Sequence, residues 1–356
     1  MASRRACPYH ARPRQRERGR RNQVVSIRVH RLTKSFRTRS KQEGLAGSWR
    51  ALWKPEWRQV PAIRDISFLM ERGEALGFIG PNGAGKSTTI KILCGILHPD
   101  SGAAEVLGQV PWQDRQRLCY EIGSVFGQRP QLWYHLPPID SFHVYGAIYG
   151  LDRDATRRRV DFLVDVFELQ HLLHTPVRKL SLGQRMRCEV AVSLLHAPKL
   201  LLLDEPSIGL DIVAKQRIRD TIRYMRDEEG VGVLLTSHDA GDIEALCSRV
   251  IVISDGQLIF DDTMDELKRR HLTAKQVNVR YLEEGERSLP MAGVETVAAS
   301  RYGMQIRFDP RTVGVDAVIS GLNGLGSMVD ITISDPDLED IIGTIYAENA
   351  LDPDTA

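Results

Sequence analysis

The fold of this chain is decided by the stretch Gly80, Pro81, Asn82, Gly83, Ala84, Gly85, Lys86, Ser87 and Thr88. The stretch matches the pattern G-x-x-x-x-G-K-[ST], which is typical of a phosphate-binding loop. The short apolar run before it, residues 74–79, predicts a buried strand, and residues 88–93 after it predict the first turns of a helix. Backbone N–H groups and the helix dipole at such a junction favour bound anions. The sequence therefore predicts a cradle for phosphate groups.

Length and composition are those of an ordinary globular protein. The 356 residues are 42% hydrophobic and 26% charged, which allows two or three domains with a sizeable core. The formal net charge of +2 predicts no nucleic-acid partner by itself. Five scattered cysteines without a C-x-x-C pair favour a reduced cytosolic protein over a disulfide framework. No apolar run approaches the roughly 18 residues needed to cross a bilayer, so any membrane role is expected to be peripheral.

Two segments near the amino terminus are rich in basic residues. Residues 1–22 hold eight arginines and one acid, Glu17, which predicts a disordered tail. A basic arm that touches anionic lipid or nucleic acid is the alternative interpretation. Residues 37–60 are basic and rich in tryptophan, with Trp49 and Trp53 one helical turn apart. We interpret this tract as a surface insertion, or else as a patch that touches lipid headgroups or a loop of a membrane protein.

The rest of the chain alternates strand and helix signals. Short apolar runs predict buried strands near residues 122–127, 200–203, 231–236 and 250–253. Between the first two of these runs, residues from about 138 to 196 show helical spacing of apolar side chains. Strands separated by helices predict an α/β fold with a mainly parallel sheet and an inserted helical block. Residues 272–356 return to alternation and predict a small accessory α+β domain.

Four further motifs follow the phosphate loop in order along the chain. They are Gln128 at the end of a predicted strand, Leu180-Ser181-Leu182-Gly183-Gln184 opening a helix, Asp204-Glu205 at the end of an apolar strand, and His238 at the end of another. Carboxylates are hard oxygen ligands that can hold Mg²⁺, and they can also act as general bases on water. The ordered set resembles the nucleotide-binding domain of ABC transporters. The resemblance covers about residues 23–265, and we expect the domain to span 23–270.

Within that superfamily the chain is similar to the ATPases that serve ABC-2-type exporter permeases. This closer likeness rests on the amino-acid sequence of three segments, residues 125–133, 180–187 and 208–211. It implies a P-loop NTPase fold of ABC type with a helical subdomain at about 138–196, followed by the small α+β domain. It also implies an enzyme that binds ATP and Mg²⁺ and couples ATP hydrolysis to transport.

The resemblance assigns roles around the nucleotide. The residues Gly80 to Thr88 would bind ATP, with the Lys86 ammonium reaching the β- and γ-phosphates. Ser87, Asp204 and Gln128 would surround Mg²⁺. Glu205 would act as the general base on water, with catalytic help from His238 at the γ-phosphate and from Gln128.

The resemblance also places part of the site on a second subunit. Ser181, Gly183 and Gln184 would bind the γ-phosphate of the ATP held by the opposite subunit, and Asp211 would be the acid of the D-loop. Phe36 is a candidate for stacking on adenine, and plain core packing is its alternative. The sequence departs from the commonest family pattern at Leu182, where glycine is usual, and at Ser207, where threonine is usual. We expect ATP binding to survive both departures.

The sequence thus predicts an ATPase subunit that dimerises around two ATP molecules and drives a separate integral membrane permease, in the direction of export. A homodimer at the cytoplasmic face of the membrane is the expected form. A soluble ABC ATPase that acts on ribosomes or DNA, and a regulatory module that binds ATP without turnover, are the alternatives. Because Glu205 is present, the regulatory alternative is disfavoured. The transported substrate does not follow from this chain.

Overall fold

The computed structural model describes residues 25–39, 57–127, 129–271, 274–336 and 338–351. The strands are β1 (Val25–Arg39), β2 (Trp57–Glu71), β3 (Ala75–Ile79), β4 (Ser101–Val106), β5 (Ile122–Phe126), β6 (Leu200–Asp204), β7 (Gly232–Ser237), β8 (Arg249–Ser254), β9 (Gln257–Thr263), β10 (Lys275–Tyr281), β11 (Val294–Ser300), β12 (Gly303–Phe308) and β13 (Met328–Ser334). The α-helices are α1 (Lys86–Leu93), α2 (Arg115–Leu118), α3 (Pro138–Ile148), α4 (Arg153–Val166), α5 (Leu182–Ser193), α6 (Ile212–Asp227), α7 (Ala240–Leu246), α8 (Met264–His271), α9 (Val315–Asn323) and α10 (Leu338–Leu351). None of these described helices combines the length and the apolar character needed to cross a membrane.

The central sheet has six strands in the order β5-β6-β7-β3-β8-β9, and only β9 runs antiparallel to its neighbour. A parallel strand that is covered on both faces reads as a continuous apolar run. Leu200 to Leu203 in β6 are accordingly all buried. The carboxyl ends of β3, β6 and β7 lie at one edge of this sheet, so the phosphate loop, Asp204 and Ser237 meet there. The predicted α/β fold with a mainly parallel sheet is confirmed.

Helices α3, α4 and α5 lie between β5 and β6 in the sequence, within the predicted helical block. The buried face of α4 includes Val160, Leu163 and Val164, as its spacing predicts. These side chains belong to the same apolar core as Leu201 and Leu203 of the central sheet. The helical block therefore packs continuously onto the sheet, and its description as a subdomain stays a prediction.

A second sheet, in the order β2-β1-β4, is antiparallel. Strand β2 begins at Trp57, earlier than the strand signal near residue 62, because it pairs with β1 as far as Arg39. The two ends of the tryptophan-rich tract 37–60 are therefore strands. Residues 40–56, with Trp49 and Trp53, lie outside the described residues, and so does the basic region 1–22.

The third sheet, in the order β11-β12-β10-β13, packs its own apolar core against α9. Helix α10 behaves differently from the rest of this region. It packs against α7 and α8, and its apolar residues Leu338, Ile341 and Ile342 belong to the core of the central sheet. The apolar face of α10 is therefore buried on the preceding body, and the bounds of the α+β domain, 272–356, stay a prediction.

Candidate functional site

The path of the phosphate loop depends on its glycines. Gly83 and Gly85 have φ angles of 87° and 106°, in the left-handed region that favours glycine. A Cβ on Gly85 would lie 2.4 Å from the carbonyl oxygen of Ala62, which closes that position to any larger residue. Helix α1 begins at the next residue, Lys86, so its first N–H groups point into the loop. The loop is thus shaped to receive an anion.

Lys86 is buried beneath this loop. Its Nζ donates to the carbonyl oxygens of Gly80 at 2.6 Å and Pro81 at 3.2 Å, and lies 3.5 Å from Oε1 of Glu205. Only 4% of the side chain is exposed. A buried ammonium is stable only when it is paired and hydrogen-bonded. These contacts hold a compact positive charge between the phosphate loop and the end of β6.

Ser87 and Asp204 meet at the same edge of the sheet. The Ser87 Oγ donates to Oδ1 of Asp204 at 2.9 Å, and the hydroxyl of Thr236 donates to the same oxygen at 2.8 Å. A hydroxyl and a carboxylate are the hard oxygen ligands that Mg²⁺ prefers. No group of three or more His, Cys, Asp or Glu side chains among the described residues could hold a metal. The pair therefore fits a Mg²⁺ ion that takes its remaining ligands from phosphate oxygens and water.

Thr236 was missed by the sequence reasoning. It lies opposite Asp204 in the register of β6 and β7, and its backbone carbonyl also accepts from the Glu205 N–H at 3.0 Å. Only the pairing of two strands that are distant in the chain brings these groups together. Gln128, the remaining predicted Mg²⁺ ligand and catalytic residue, lies outside the described residues.

Glu205 and His238 face each other beside Lys86. Oε2 of Glu205 lies 3.5 Å from Nδ1 of His238, and the glutamate side chain is 15% exposed while the histidine is 51% exposed. Glu205 has a φ of 52°, a conformation that costs a residue other than glycine about 1–2 kcal/mol. Such strain persists only where the surroundings hold it in place. The fold thus fixes this carboxylate at the mouth of the phosphate loop, close to an accessible imidazole.

The signature segment, residues 181–184, begins α5 with a capping box. Ser181 Oγ accepts from the Gln184 N–H at 3.2 Å, and Oε1 of Gln184 accepts from the Ser181 N–H at 2.9 Å. A Cβ on Gly183 would lie 2.6 Å from the Cβ of Ala214, so glycine lets α5 pack closely on α6. Asp211 caps α6 by accepting from the Ala214 N–H at 2.8 Å. The starts of both helices therefore line one open cleft.

This signature cleft is separate from the phosphate loop. Within the described parts of the chain, no hydrogen bond or ion pair joins residues 181–184 to residues 80–88, Glu205 or His238. Helix α5 is instead tied to the segment after β5. The buried Glu189 carboxylate accepts from the backbone N–H groups of Gln131 and Leu132, and burial raises the pKa of this carboxyl. The structure thus brings the predicted site residues together as two groups.

Phe36 lies on the surface, with 38% of its area exposed, so the core-packing alternative is wrong for this residue. It pairs with Val60 in the β1–β2 ribbon, close to Ala62, whose carbonyl oxygen contacts the Gly85 position. Phe36 therefore lies on the strand that pairs with the one passing Gly85, and its ring is accessible. Its stacking on adenine stays a prediction.

Comparison with known proteins agrees with this geometry. The family described as ABC transporter matches residues 63–208. The ABC transporter ATP-binding protein NatA of Bacillus subtilis (strain 168) is 31% identical over 208 residues, which cover 58% of this chain and 84% of NatA. The linearmycin resistance ATP-binding protein LnrL of the same organism is 28% identical over 298 residues, which cover 80% of this chain and 94% of LnrL.

Solved structures show the same fold. The cbiO1 protein from Clostridium perfringens, part of the ABC transporter complex cbiONQ, aligns with a TM-score of 0.57 and 27% identity. The alignment covers 69% of this chain and 91% of cbiO1. The site agrees with these relatives, because Asp204, Glu205 and His238 lie close to the phosphate loop. The relatives show that the chain belongs to the ATP-binding proteins of ABC transporters and is an ATP-hydrolysing subunit of that family.

Proposed function

We propose that two copies of this chain close around two ATP molecules and that closure drives a separate ABC-2-type permease, in the direction of export. The observation that carries the proposal is the separation of the two groups in one chain. Lys86, Glu205 and His238 cluster beside the phosphate loop, whereas the signature segment opens another surface. If the signature segment is to reach a γ-phosphate, that γ-phosphate must be held by another subunit, either a second copy or a homologue.

In this dimer each phosphate loop would hold one ATP. The Lys86 ammonium would exchange its carbonyl contacts for the β- and γ-phosphates. Ser87 and Asp204 would supply oxygen ligands to Mg²⁺, whose charge offsets that of the phosphates. The Glu205 carboxylate would accept a hydrogen bond from the attacking water and draw its proton, while His238 would contact the γ-phosphate.

The helical block would carry the surface that meets the permease. Several large apolar side chains next to or within the helical block have 41–56% of their area exposed, namely Trp133, Tyr134, Leu136 and Ile148. Exposed apolar side chains that form a contiguous patch mark interaction surfaces. A peripheral position at the cytoplasmic face of the membrane follows from such a partner. The name of LnrL, a resistance ATP-binding protein, supports export as the direction.

The test is Glu205→Gln in the full chain. The variant is expected to bind ATP with unchanged affinity but to hydrolyse it about 10²–10⁴-fold more slowly, the usual loss when a general base is removed. Because ATP is then not consumed, light scattering after gel filtration should show an ATP-dependent dimer. Glu228→Gln, an exposed acid at the end of α6, is the control and should behave like wild type. Wild-type turnover in Glu205→Gln, or a variant that stays monomeric with ATP, would contradict the proposal.

A further inference from the structure

A buried carboxylate outside the predicted site connects several of its parts. Asp242 lies on α7, and only 2% of the residue is exposed. A carboxylate this deeply buried is stable only when it is paired and hydrogen-bonded. No role was predicted for it from the sequence. Its partners show what it holds together.

The two oxygens of Asp242 face different partners. Oδ1 accepts from Nε of Arg219 at 2.7 Å, and a second guanidinium nitrogen donates to the same oxygen. Oδ2 accepts from the hydroxyl of Ser207 and, at 3.4 Å, from the hydroxyl of Ser237. Both serines are themselves buried. The carboxylate thus joins the segment after β6, helix α6 and the end of β7.

Two of these segments lead to the phosphate-loop group, and the third leads to the signature cleft. Ser207 is two residues after Glu205, and Ser237 immediately precedes His238. Arg219 lies on α6, the helix that Asp211 caps. Asp242 is therefore bonded close to both Glu205 and His238 in the chain, and to the helix that begins beside the signature segment.

We propose that Asp242 is a positioning residue that holds Glu205 and His238 at their working separation. The proposal rests on the roles proposed for Glu205 and His238. Two hydrogen bonds hold the strained backbone of Glu205 in place. The Glu205 N–H donates to the carbonyl oxygen of Thr236, and two residues further on the Ser207 hydroxyl donates to Asp242. Without the second bond, residues 205–207 can relax and carry the carboxylate away from His238. The rate of hydrolysis then falls, whereas ATP affinity stays, because Asp242 does not contact Lys86 or Ser87.

A structural role alone would give a different result. If Asp242 only neutralises the buried side of Arg219, removing the Ser207 hydroxyl should leave turnover unchanged. Ser207→Ala separates the two possibilities, since it keeps the Arg219–Asp242 ion pair and removes only the link to the Glu205 segment. Ser207→Thr keeps the hydroxyl and is the conservative variant that should restore turnover.

The experiment measures kcat and KM for ATP, and thermal unfolding, in the full chain. The variants are Ser207→Ala, Ser207→Thr, Asp242→Asn and the double variant that combines Ser207→Ala with Asp242→Asn. We expect kcat of Ser207→Ala to fall about tenfold, the factor typical of one hydrogen bond to a charged group, with KM within about twofold of wild type. Ser207→Thr should turn over like wild type. The double variant should be no slower than Asp242→Asn alone, because both changes break one link.

Glu244→Gln is the matched control. Glu244 is on the same helix, but it is exposed and paired with Lys268, and its variant should keep wild-type kcat. A folded Ser207→Ala variant with wild-type kcat, or one that loses ATP affinity at unchanged kcat, overturns the proposal. Ser207→Ala and Ser207→Thr decide the question even where Asp242→Asn does not fold. Glu205→Gln is measured alongside to separate the two hypotheses. If Glu205→Gln still hydrolyses ATP at the wild-type rate, the proposed function fails. If Glu205→Gln is inactive while Ser207→Ala has wild-type kcat, only the role of Asp242 fails.

Discussion

The phosphate-loop region and the signature region of this chain are built in different ways. The first draws Lys86, Ser87, Asp204, Glu205 and His238 from distant parts of the sequence into direct contact. The second holds Ser181 and Gln184 by bonds within a single helical turn. The phosphate-loop group is therefore assembled by the tertiary fold, whereas the signature segment is shaped locally before it meets any nucleotide. This difference suits an ATP site that two copies share, because a locally rigid helix start can dock onto a nucleotide held by the other copy.

The largest effect should come from the phosphate-loop region. Lys86→Ala removes the buried cation between Glu205 and the phosphate loop. We expect ATP affinity to fall and turnover to drop at least about 10²-fold, as when one preorganised charge contact is lost. Titration calorimetry with ATP and a phosphate-release assay measure the two quantities. Lys91→Ala, in the last turn of the same helix, is the control. Unchanged affinity in Lys86→Ala would remove this lysine from the site.

A smaller effect is expected from His196, which lies shortly after α5, the helix that the signature segment begins. Its Nε2 donates to the carbonyl oxygen of Ile122 at 2.9 Å, and its ring stacks on Tyr149 with 3.8 Å between centroids. Burial lowers the pKa of His196 to about 4, since a proton on its buried Nδ1 would find no partner within the described residues. The unfolded chain takes up this proton near pH 6.5 and the folded chain does not. Stability is therefore fully present above about pH 6.5 and declines as pH falls toward 4.

His196→Gln removes this titration and keeps a side-chain N–H. The midpoint of thermal unfolding should fall less steeply between pH 6.5 and pH 4.5 in the variant than in wild type, even where it is lower at neutral pH. His171→Gln, at an exposed position, should keep the wild-type slope. An identical slope in His196→Gln and wild type would show that this histidine does not stay neutral in the folded chain.

The same contrast explains what the sequence could predict. The strand, loop and helix around residues 74–93 follow from local patterns, and so do the cap at Ser181 and the buried strand at 200–203. Thr236 and Asp242 could not be predicted, because their roles depend on strand order and on bonds between segments far apart in the chain. The position of α10 was missed for a similar reason. Its apolar spacing predicts a buried face but not the body that buries it.

The central claim is that each ATP is held by the phosphate loop of one copy and the signature segment of another. Mixing Lys86→Ala with Ser181→Arg tests it most directly, with ATPase activity as the readout and gel filtration to verify dimers. Each variant alone should be inactive, and Ser181→Arg should still bind ATP. A heterodimer of the two retains one intact loop facing one intact signature, so equal mixing should restore about a quarter of wild-type activity. Wild-type turnover by Ser181→Arg alone, or no recovery in verified heterodimers, would contradict the account.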